Sequence, residues 1–216
     1  NGTKNLLDYG REHSLERFLY VSSGEVYGNG DVDNWKESDS GYVDCMTLRS
    51  CYPTSKRAAE TLCVAYSHQY NIEAVVARPC HTFGPHFTDN DTRAYAQFVR
   101  NARNHEDIVL KSRGEQYRSW LYVKDCASAI LTILLKGLNE EAYNVADVNS
   151  CVTIRELAET IAHIGGSKVV FDLPSEVERQ GFSVIRKAVF DTSKLEALEW
   201  IPQYKLQEAL VETIKG

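Results

Sequence analysis

Short apolar runs alternate with longer helical segments along this chain, and that alternation most constrains its fold. The apolar run Arg17–Ser22 precedes a helical pattern over Pro53–Tyr70, and a second run, Glu73–Arg78, follows the helix directly. Pro53 suits the first turn of a helix, and apolar side chains recur through the segment at helical spacing. Strands that alternate with helices predict an α/β fold with a parallel sheet.

The rest of the chain continues the same pattern. Thr153, with Glu156 three residues on, forms a capping box that predicts a helix up to Ile164. The polar stretch 29–50 predicts a long loop of the kind that often lies near an active site. The other predicted helices are 3–13, 92–104, 125–136 and 206–214, and the other predicted strands are 108–110, 119–122, 143–146 and 168–173.

Ser23, Tyr52 and Lys56 form a candidate catalytic set. Ser23 follows an apolar strand, and open α/β sheets bind their ligands at the carboxyl ends of strands. Tyr52 and Lys56 are four residues apart, so a helix places both on one face. A nearby ammonium favours a phenolate, which can then take a hydroxyl proton. The spacing alone is weak evidence in a chain with 12 tyrosines, but the set matches what hydride transfer from a sugar alcohol requires.

Three motifs contain or follow these residues, and further motifs lie later in the chain. They are Ser-Ser-Gly-Glu-Val-Tyr-Gly at 22–28, Tyr-Pro-Thr-Ser-Lys-Arg-Ala-Ala-Glu at 52–60 and Ala-Arg-Pro-Cys-His-Thr-Phe-Gly-Pro at 77–85; the later segments are 114–125, 143–146, 191–195 and 199–202. In this order they resemble the extended short-chain dehydrogenase/reductases, the NAD-dependent nucleotide-sugar epimerases, dehydratases and decarboxylases. The resemblance covers essentially the whole chain, and it depends on the order and spacing of the motifs.

The resemblance implies how the chain is organised. Residues 1–90 would be the C-terminal part of a Rossmann-type NAD-binding domain with the catalytic residues. Residues 91–216 would be mainly a smaller α/β lobe that binds the nucleotide sugar, with some segments returning to the first domain. The sequence holds neither G-x-G-x-x-G nor G-x-x-G-x-x-G for the NAD pyrophosphate. We therefore expect that the N-terminal part of the Rossmann domain is missing, and that the 216-residue chain alone binds NAD poorly and is inactive.

The resemblance also assigns roles to individual residues. Tyr52 would be the catalytic base, Lys56 would bind the nicotinamide ribose, and Ser23 would hold the sugar oxygen. Glu25 resembles the base that removes the C5 proton in the family's 4,6-dehydratases, and the decarboxylases also carry Glu here. Those dehydratases have Asp just before this Glu as the acid for the departing hydroxyl; here the position is Gly24, which puts simple dehydratase action in doubt.

Four further residues are candidates for binding. Arg118 is expected to grip the substrate diphosphate, because a planar guanidinium can bind phosphate oxygens at two points. Arg186 is a second diphosphate candidate. By resemblance, Pro79 and His81 are cofactor-binding residues, although His81 stands where many relatives have Asn. No metal ligands are predicted.

The motifs leave the reaction type open. A 4-keto sugar can be reduced from its other face (epimerase), lose C6 as carbon dioxide (decarboxylase) or eliminate water across C5–C6 (dehydratase). The presence of Glu25 favours a 4,6-dehydratase or decarboxylase type of lyase over a nucleotide-sugar 4-epimerase. A non-catalytic Rossmann-like binding or regulatory module is the alternative from another class; the missing Gly-rich turn favours it, and the intact Ser23, Tyr52 and Lys56 argue against it.

Composition bounds the partners. The net charge is −6 with interspersed charges, which argues against nucleic acid or an anionic membrane as a partner. No apolar stretch approaches the roughly 18 residues that a membrane span needs. Six scattered cysteines without a Cys-x-x-Cys motif predict reduced thiols and a cytoplasmic protein. By resemblance, a homodimer is expected.

Overall fold

The computed structural model describes residues 1–173 and 187–216. Within these ranges, the helices are α1 (Gly2–Glu12), α2 (Cys51–Tyr70), α3 (Ala94–Arg103), α4 (Val123–Lys136), α5 (Ile154–Gly165), α6 (Ser193–Glu196) and α7 (Leu206–Lys215). The strands are β1 (Arg17–Val21), β2 (Glu73–Pro79), β3 (His81–Phe83), β4 (Ile108–Leu110), β5 (Tyr117–Tyr122), β6 (Ala142–Val145), β7 (Cys151–Thr153), β8 (Val169–Phe171) and β9 (Lys187–Ala188). Two short 3₁₀ turns lie at Gly24–Tyr27 and Leu48–Ser50.

The chain divides into two compact units, each made of discontinuous segments. The first unit comprises 1–80, 126–146 and 190–201, and the second comprises 81–125, 147–189 and 202–216, of which 174–186 lie outside the described residues. The assignment of residues 1–90 to NAD and of 91–216 mainly to the nucleotide sugar stays a prediction.

The first unit is built on a parallel sheet in the order β1-β2-β6. Arg17 of β1 pairs with Glu73 of β2, and Val76 of β2 pairs with Ala142 of β6. Four consecutive residues of β2 are buried, as expected for a central strand of a parallel sheet. Helices α1 and α2 and strand β2 contribute to one apolar cluster, which contains Leu7, Cys63, Tyr66 and Ala74.

A buried polar network joins the predicted loop 29–50 to this sheet. The Tyr27 hydroxyl donates to Asn144 Oδ1 at 2.6 Å and accepts from Arg78 Nη1 at 3.1 Å. Arg78 also forms a two-point ion pair with Glu60, at 3.0 and 2.7 Å. The side-chain nitrogen of Asn144, Nδ2, donates to the backbone carbonyl of Trp35, in the loop, at 2.9 Å. Because buried polar groups are costly when unpaired, this network fixes the start of the loop.

The second unit has a larger apolar core and two small sheets. Strand β5 pairs in parallel with β3 and β9 and antiparallel with β7, and β4 pairs in parallel with β8. Helices α3, α5 and α7 pack into one cluster that includes Phe98, Trp120, Leu157 and Leu210. Asp125 is buried and accepts hydrogen bonds from the backbone N–H groups of Gln203 and Tyr204, at 2.9 and 3.1 Å.

The predicted α/β class with a parallel sheet is confirmed, and each predicted helix and strand has a counterpart. The capping box of α5 is present, with the Thr153 hydroxyl accepting from Glu156 N–H at 3.1 Å and the Glu156 carboxylate accepting from Thr153 N–H at 2.7 Å. The sequence patterns missed β3, β7, β9 and α6, and they did not predict the antiparallel pairing of β5 with β7. None of the helices in the described part of the chain is long and apolar enough to cross a membrane.

Candidate active site

Ser23 lies just beyond the carboxyl end of β1. Ser22 N–H donates to the Ala77 carbonyl at 2.7 Å and continues the β1–β2 pairing. The chain then turns, and the Ser23 hydroxyl oxygen accepts from Glu25 N–H at 3.2 Å. Ser23 is thus the N-cap of the 3₁₀ turn Gly24–Tyr27, which ends at Gly28 with φ 68°. This places Ser23 at the sheet edge where the sequence predicted it. Among the described residues, its hydroxyl accepts a hydrogen bond but has no acceptor for its own proton.

Tyr52 and Lys56 lie one turn apart near the start of α2. The Lys56 ammonium is 5.8 Å from the centre of the Tyr52 ring and 5.0 Å from that of Tyr20. It donates to the carbonyl of Val21, the last residue of β1, at 2.8 Å. The Tyr52 side chain is 47% exposed. The predicted pair is therefore formed, and it lies beside the carboxyl end of the strand that leads to Ser23.

Arg57 fixes the backbone that carries Ser23 and Glu25. Its guanidinium donates to the carbonyls of Val26, Tyr27 and Gly41, at 2.6, 3.2 and 2.9 Å. One side chain of α2 thus holds both the 3₁₀ turn and the middle of the loop 29–50. Sequence reasoning missed this residue; its adjacency to Lys56 in the motif at 52–60 was the available signal.

The carboxylate of Glu25 is paired with Arg49. Arg49 Nη2 donates to the two carboxylate oxygens of Glu25 at 3.0 and 3.3 Å. Arg49 belongs to the 3₁₀ turn Leu48–Ser50, three residues before Tyr52. Glu25 was predicted as a site residue, whereas Arg49 was not, because nothing local to position 49 indicates an ionic partner 24 residues away.

Gly24 has no room for a side chain. A Cβ atom built on Gly24 would lie 2.8 Å from Cε1 of Phe190 and still closer to Cζ. Phe190 is buried, packs against Tyr27 with ring centres 5.7 Å apart and forms a bridge with Trp35. An Asp at position 24, the residue that the resemblance led us to compare with Gly24, would require this ring to move.

The structure gives positions for three of the four other predicted site residues. Pro79 ends β2 and pairs in register with Val145 of β6, in the first unit. In the second unit, His81 is exposed on β3 with its ring centre 5.3 Å from that of Trp120. Arg118 is buried on β5 and donates to the Tyr117 carbonyl at 2.9 Å. Arg186 lies outside the described residues, and the roles of all four stay predictions.

Comparisons with known proteins identify the family. The model of the NAD dependent epimerase/dehydratase family matches residues 1–146, and the chain belongs to that family. Over 213 residues it is 32% identical to UDP-glucuronic acid decarboxylase 3 of Arabidopsis thaliana, covering 97% of this chain and 59% of that protein. The chain thus spans less than two thirds of the length of this relative.

Solved structures agree on the fold. A dTDP-glucose 4,6-dehydratase from Bacillus anthracis, in complex with NAD, matches with a TM-score of 0.82 and 26% identity, covering 99% of this chain and 65% of that one. UDP-glucose 4-epimerase from Thermotoga maritima, solved with UDP-glucose, matches with a TM-score of 0.86 at 24% identity, covering 99% and 67%. The predicted family and the Rossmann-type fold are confirmed.

NAD is the cofactor of this family, and the described residues fit its nicotinamide end. The Lys56 ammonium has three donors, and the Val21 carbonyl is its only hydrogen-bond acceptor among the described residues. The remaining donors suit ribose hydroxyls, and Tyr52 is exposed next to them. The given sequence contains neither G-x-G-x-x-G nor G-x-x-G-x-x-G, the turns whose backbone N–H groups bind a pyrophosphate.

Proposed function

We propose that the protein acts on nucleotide sugars with NAD through a 4-keto intermediate, and that it is a UDP-glucuronate decarboxylase. The observation that carries this proposal is the position of Lys56, which contacts the end of β1 at 2.8 Å and lies 5.8 Å from the centre of the Tyr52 ring. A base, a cation and a hydrogen-bond donor at one strand end are the groups that oxidation of a sugar hydroxyl needs.

In the first step the C4 hydroxyl is oxidised, and each of these three residues has one role. Tyr52 takes the proton from the C4 hydroxyl, and the Ser23 hydroxyl donates a hydrogen bond to the same oxygen. Lys56 stabilises the phenolate by its charge and binds the ribose hydroxyls. NAD, held at its ribose by Lys56, would be the hydride acceptor for C4 and, once reduced, the hydride donor for the final reduction. The C4 carbon is thereby oxidised to a ketone.

The 4-keto group makes the second step possible. With a carboxylate at C6, the oxidised sugar is a β-keto acid. The C5–C6 bond breaks, carbon dioxide leaves, and the electron pair remains as a C4–C5 enolate. Glu25, held two residues from Ser23 in the 3₁₀ turn, would take a proton from solvent and pass it to C5, which returns Glu25 to the carboxylate that pairs with Arg49. Tyr52 then returns its proton to the C4 oxygen as C4 is reduced, so one carbon dioxide is released and one proton is consumed overall.

Two observations support decarboxylation over the other lyase reaction. Loss of water across C5–C6 needs an acid near C6, and the position that carries it in related dehydratases is Gly24, closed by the ring of Phe190. The similarity to UDP-glucuronic acid decarboxylase 3 extends over 97% of the chain. In a 4-epimerase, Glu25 would have no role in the reaction, because C5 is neither protonated nor deprotonated.

A screen of the full-length protein tests this proposal. UDP-glucuronate, UDP-glucose and dTDP-glucose are each incubated with the protein and NAD, and the products are identified by mass. Loss of carbon dioxide from UDP-glucuronate is expected. Loss of water from a hexose would indicate a dehydratase, and interconversion of epimers without a change in mass would indicate an epimerase. No turnover of any nucleotide sugar, together with no binding, would support the non-catalytic module.

We also propose a cytoplasmic homodimer. Leu6 and Tyr9 of α1 are exposed apolar residues, and together they offer a surface that a second copy could cover. Light scattering of the full-length protein should give twice the monomer mass, and Leu6→Glu should shift it toward the monomer. Cell fractionation should recover the protein with soluble cytoplasmic enzymes.

A further inference from the structure

The Glu25–Arg49 ion pair uses only part of the hydrogen-bonding capacity of the Arg49 guanidinium. Only Nη2 of Arg49 contacts Glu25, at 3.0 and 3.3 Å from its two oxygens. Among the described residues, Nε and Nη1 of Arg49 have no hydrogen-bond acceptor. The guanidinium carries five N–H donors in a rigid plane. The Arg49 side chain is 69% exposed and that of Glu25 is 34% exposed, so the unused donors are open to a ligand.

The backbone of Arg49 is fixed although its side chain is exposed. The neighbouring residue, Ser50, is buried; its N–H donates to the Thr47 carbonyl at 3.1 Å, and its hydroxyl lies 2.8 Å from that of Thr47. The Ser50 hydroxyl also donates to the Asp44 carbonyl. Helix α2 begins immediately afterwards, with Tyr52 in its first turn. The backbone of Arg49 is therefore fixed three residues before the base Tyr52, while its guanidinium pairs with the carboxylate of Glu25.

A carboxylate on the substrate would meet a charge problem at Glu25. Glu25 alone would repel a second carboxylate, and like charges in a partly buried site oppose binding strongly. Arg49 removes this repulsion because the ion pair carries no net charge. The free edge of the guanidinium can also bind a second carboxylate at two points. A neutral hydroxymethyl group at C6 gains nothing comparable from it.

We infer that Arg49 binds the C6 carboxylate of a uronate substrate and selects it over the corresponding hexose. This assignment rests on the proposed function, since it needs a nucleotide sugar bound beside Tyr52. The diphosphate is another anion that a guanidinium could bind, so the test must separate the two groups.

Calorimetry with three ligands makes that separation. UDP, UDP-glucose and UDP-glucuronate are titrated into the full-length Tyr52→Phe protein with NAD, a background chosen to stop turnover. Arg49→Gln should weaken UDP-glucuronate by about tenfold to a hundredfold, the range expected for a lost charged hydrogen bond, while UDP and UDP-glucose change by less than about twofold. Arg49→Lys keeps the charge without the planar fork and should fall between. Arg155→Gln, which removes an exposed pair with Glu159, is the matched control and should change none of the three.

Glu25→Gln distinguishes recognition from a structural role of the pair. It leaves Arg49 with an unpaired positive charge, so UDP-glucuronate should bind as tightly or more tightly, opposite to Arg49→Gln. If the pair only joins its two segments, both substitutions should weaken all ligands alike, and that result would overturn the inference. Equal weakening of UDP by Arg49→Gln would assign Arg49 to the diphosphate instead. If the Tyr52→Phe protein binds UDP-glucose and all three affinities are unchanged by Arg49→Gln, the inference is overturned but the proposed function is not. If the Tyr52→Phe protein binds none of the three ligands, the proposed function is overturned as well.

Discussion

The ring of Phe190 fills the space into which a side chain at Gly24 would project. A Cβ at position 24 would come within 2.8 Å of Cε1 of Phe190. The Phe190 ring packs against Tyr27, and its backbone forms a bridge with Trp35. The residue between Ser23 and Glu25 therefore cannot carry a proton donor without repacking the core of the first unit. Packing thus constrains the chemistry available at this turn.

Gly24→Ala should destabilise the protein by about 1–3 kcal/mol, the usual cost of adding atoms to a packed site. Chemical denaturation of the full-length protein measures this change. Gly2→Ala is the control, because a Cβ there would have no atom within 4 Å, and it should be neutral or slightly stabilising. Phe190→Leu combined with Gly24→Ala should restore part of the loss. Equal stability of Gly24→Ala and the parent would show that the Phe190 ring yields easily.

Tyr27→Phe should destabilise the protein near neutral pH by about 1–3 kcal/mol, because buried atoms of Asn144 and Arg78 lose their partner. Burial raises the pKa of Tyr27 to about 12, partly offset by Arg78. An unfolded Tyr loses its proton near pH 10, so between about pH 10 and 12 the native state binds the extra proton. Stability from this group is complete below pH 10 and falls as pH rises to 12.

Urea denaturation from pH 8 to 11 measures this dependence. The parent should lose stability faster than Tyr27→Phe above pH 10, so that the difference between them shrinks. Subtracting the variant cancels the titration of other groups, including Cys63, whose thiol pKa burial raises to about 11. A constant difference across this range would mean that Tyr27 titrates as an ordinary tyrosine.

The sequence predicted those parts of the fold that are encoded locally. Periodicity identified β2 and α2, and the spacing of Thr153 and Glu156 identified the start of α5. Strands β3 (His-Thr-Phe) and β7 (Cys-Val-Thr) have three residues each and include polar side chains. They therefore lack the continuous apolar run that made β4 (Ile-Val-Leu) visible at the same length. The pairing of β5 with β7 and β9 depends on chain segments far apart, and no local pattern reports it.

The same division applies to the site. Tyr52 and Lys56 were identified because a helix makes their spacing meaningful. Arg49 and Arg57 were missed because their acceptors, on Glu25 and Val26, lie 24 and 31 residues away. The obstacle at Gly24 was invisible for the same reason, because only the folded chain brings Phe190 to it.

Tyr52→Phe should lower kcat of the full-length enzyme by at least about 10²–10⁴-fold, the contribution expected from a general base. Only one hydroxyl is lost, at a side chain that is 47% exposed, so the melting temperature and the affinity for substrate should barely change. Tyr42→Phe removes the same atom from a tyrosine that is 68% exposed and should be silent. Near-native turnover of Tyr52→Phe would exclude Tyr52 as the base.

Glu25→Gln distinguishes the three reaction types when turnover is followed in deuterated water. The substitution keeps the side-chain shape and removes the carboxylate. Glu12→Gln is the control, because Glu12 is an exposed carboxylate near Arg11, on α1, and it should match the parent in rate and labelling. Mass spectrometry and NMR of the sugar product locate the label at C5.

Decarboxylation predicts one deuterium at C5 with both the parent and Glu25→Gln, because loss of carbon dioxide itself creates the carbanion that takes the solvent proton. The variant should be slower, since Glu25 no longer delivers that proton. In a dehydratase, Glu25 would have to remove the C5 proton, so the variant would accumulate the 4-keto sugar and cease exchange. In a 4-epimerase, C5 is never deprotonated, and neither protein would incorporate deuterium there. Rapid interconversion of 4-epimers without label at C5 would therefore refute the proposed decarboxylase.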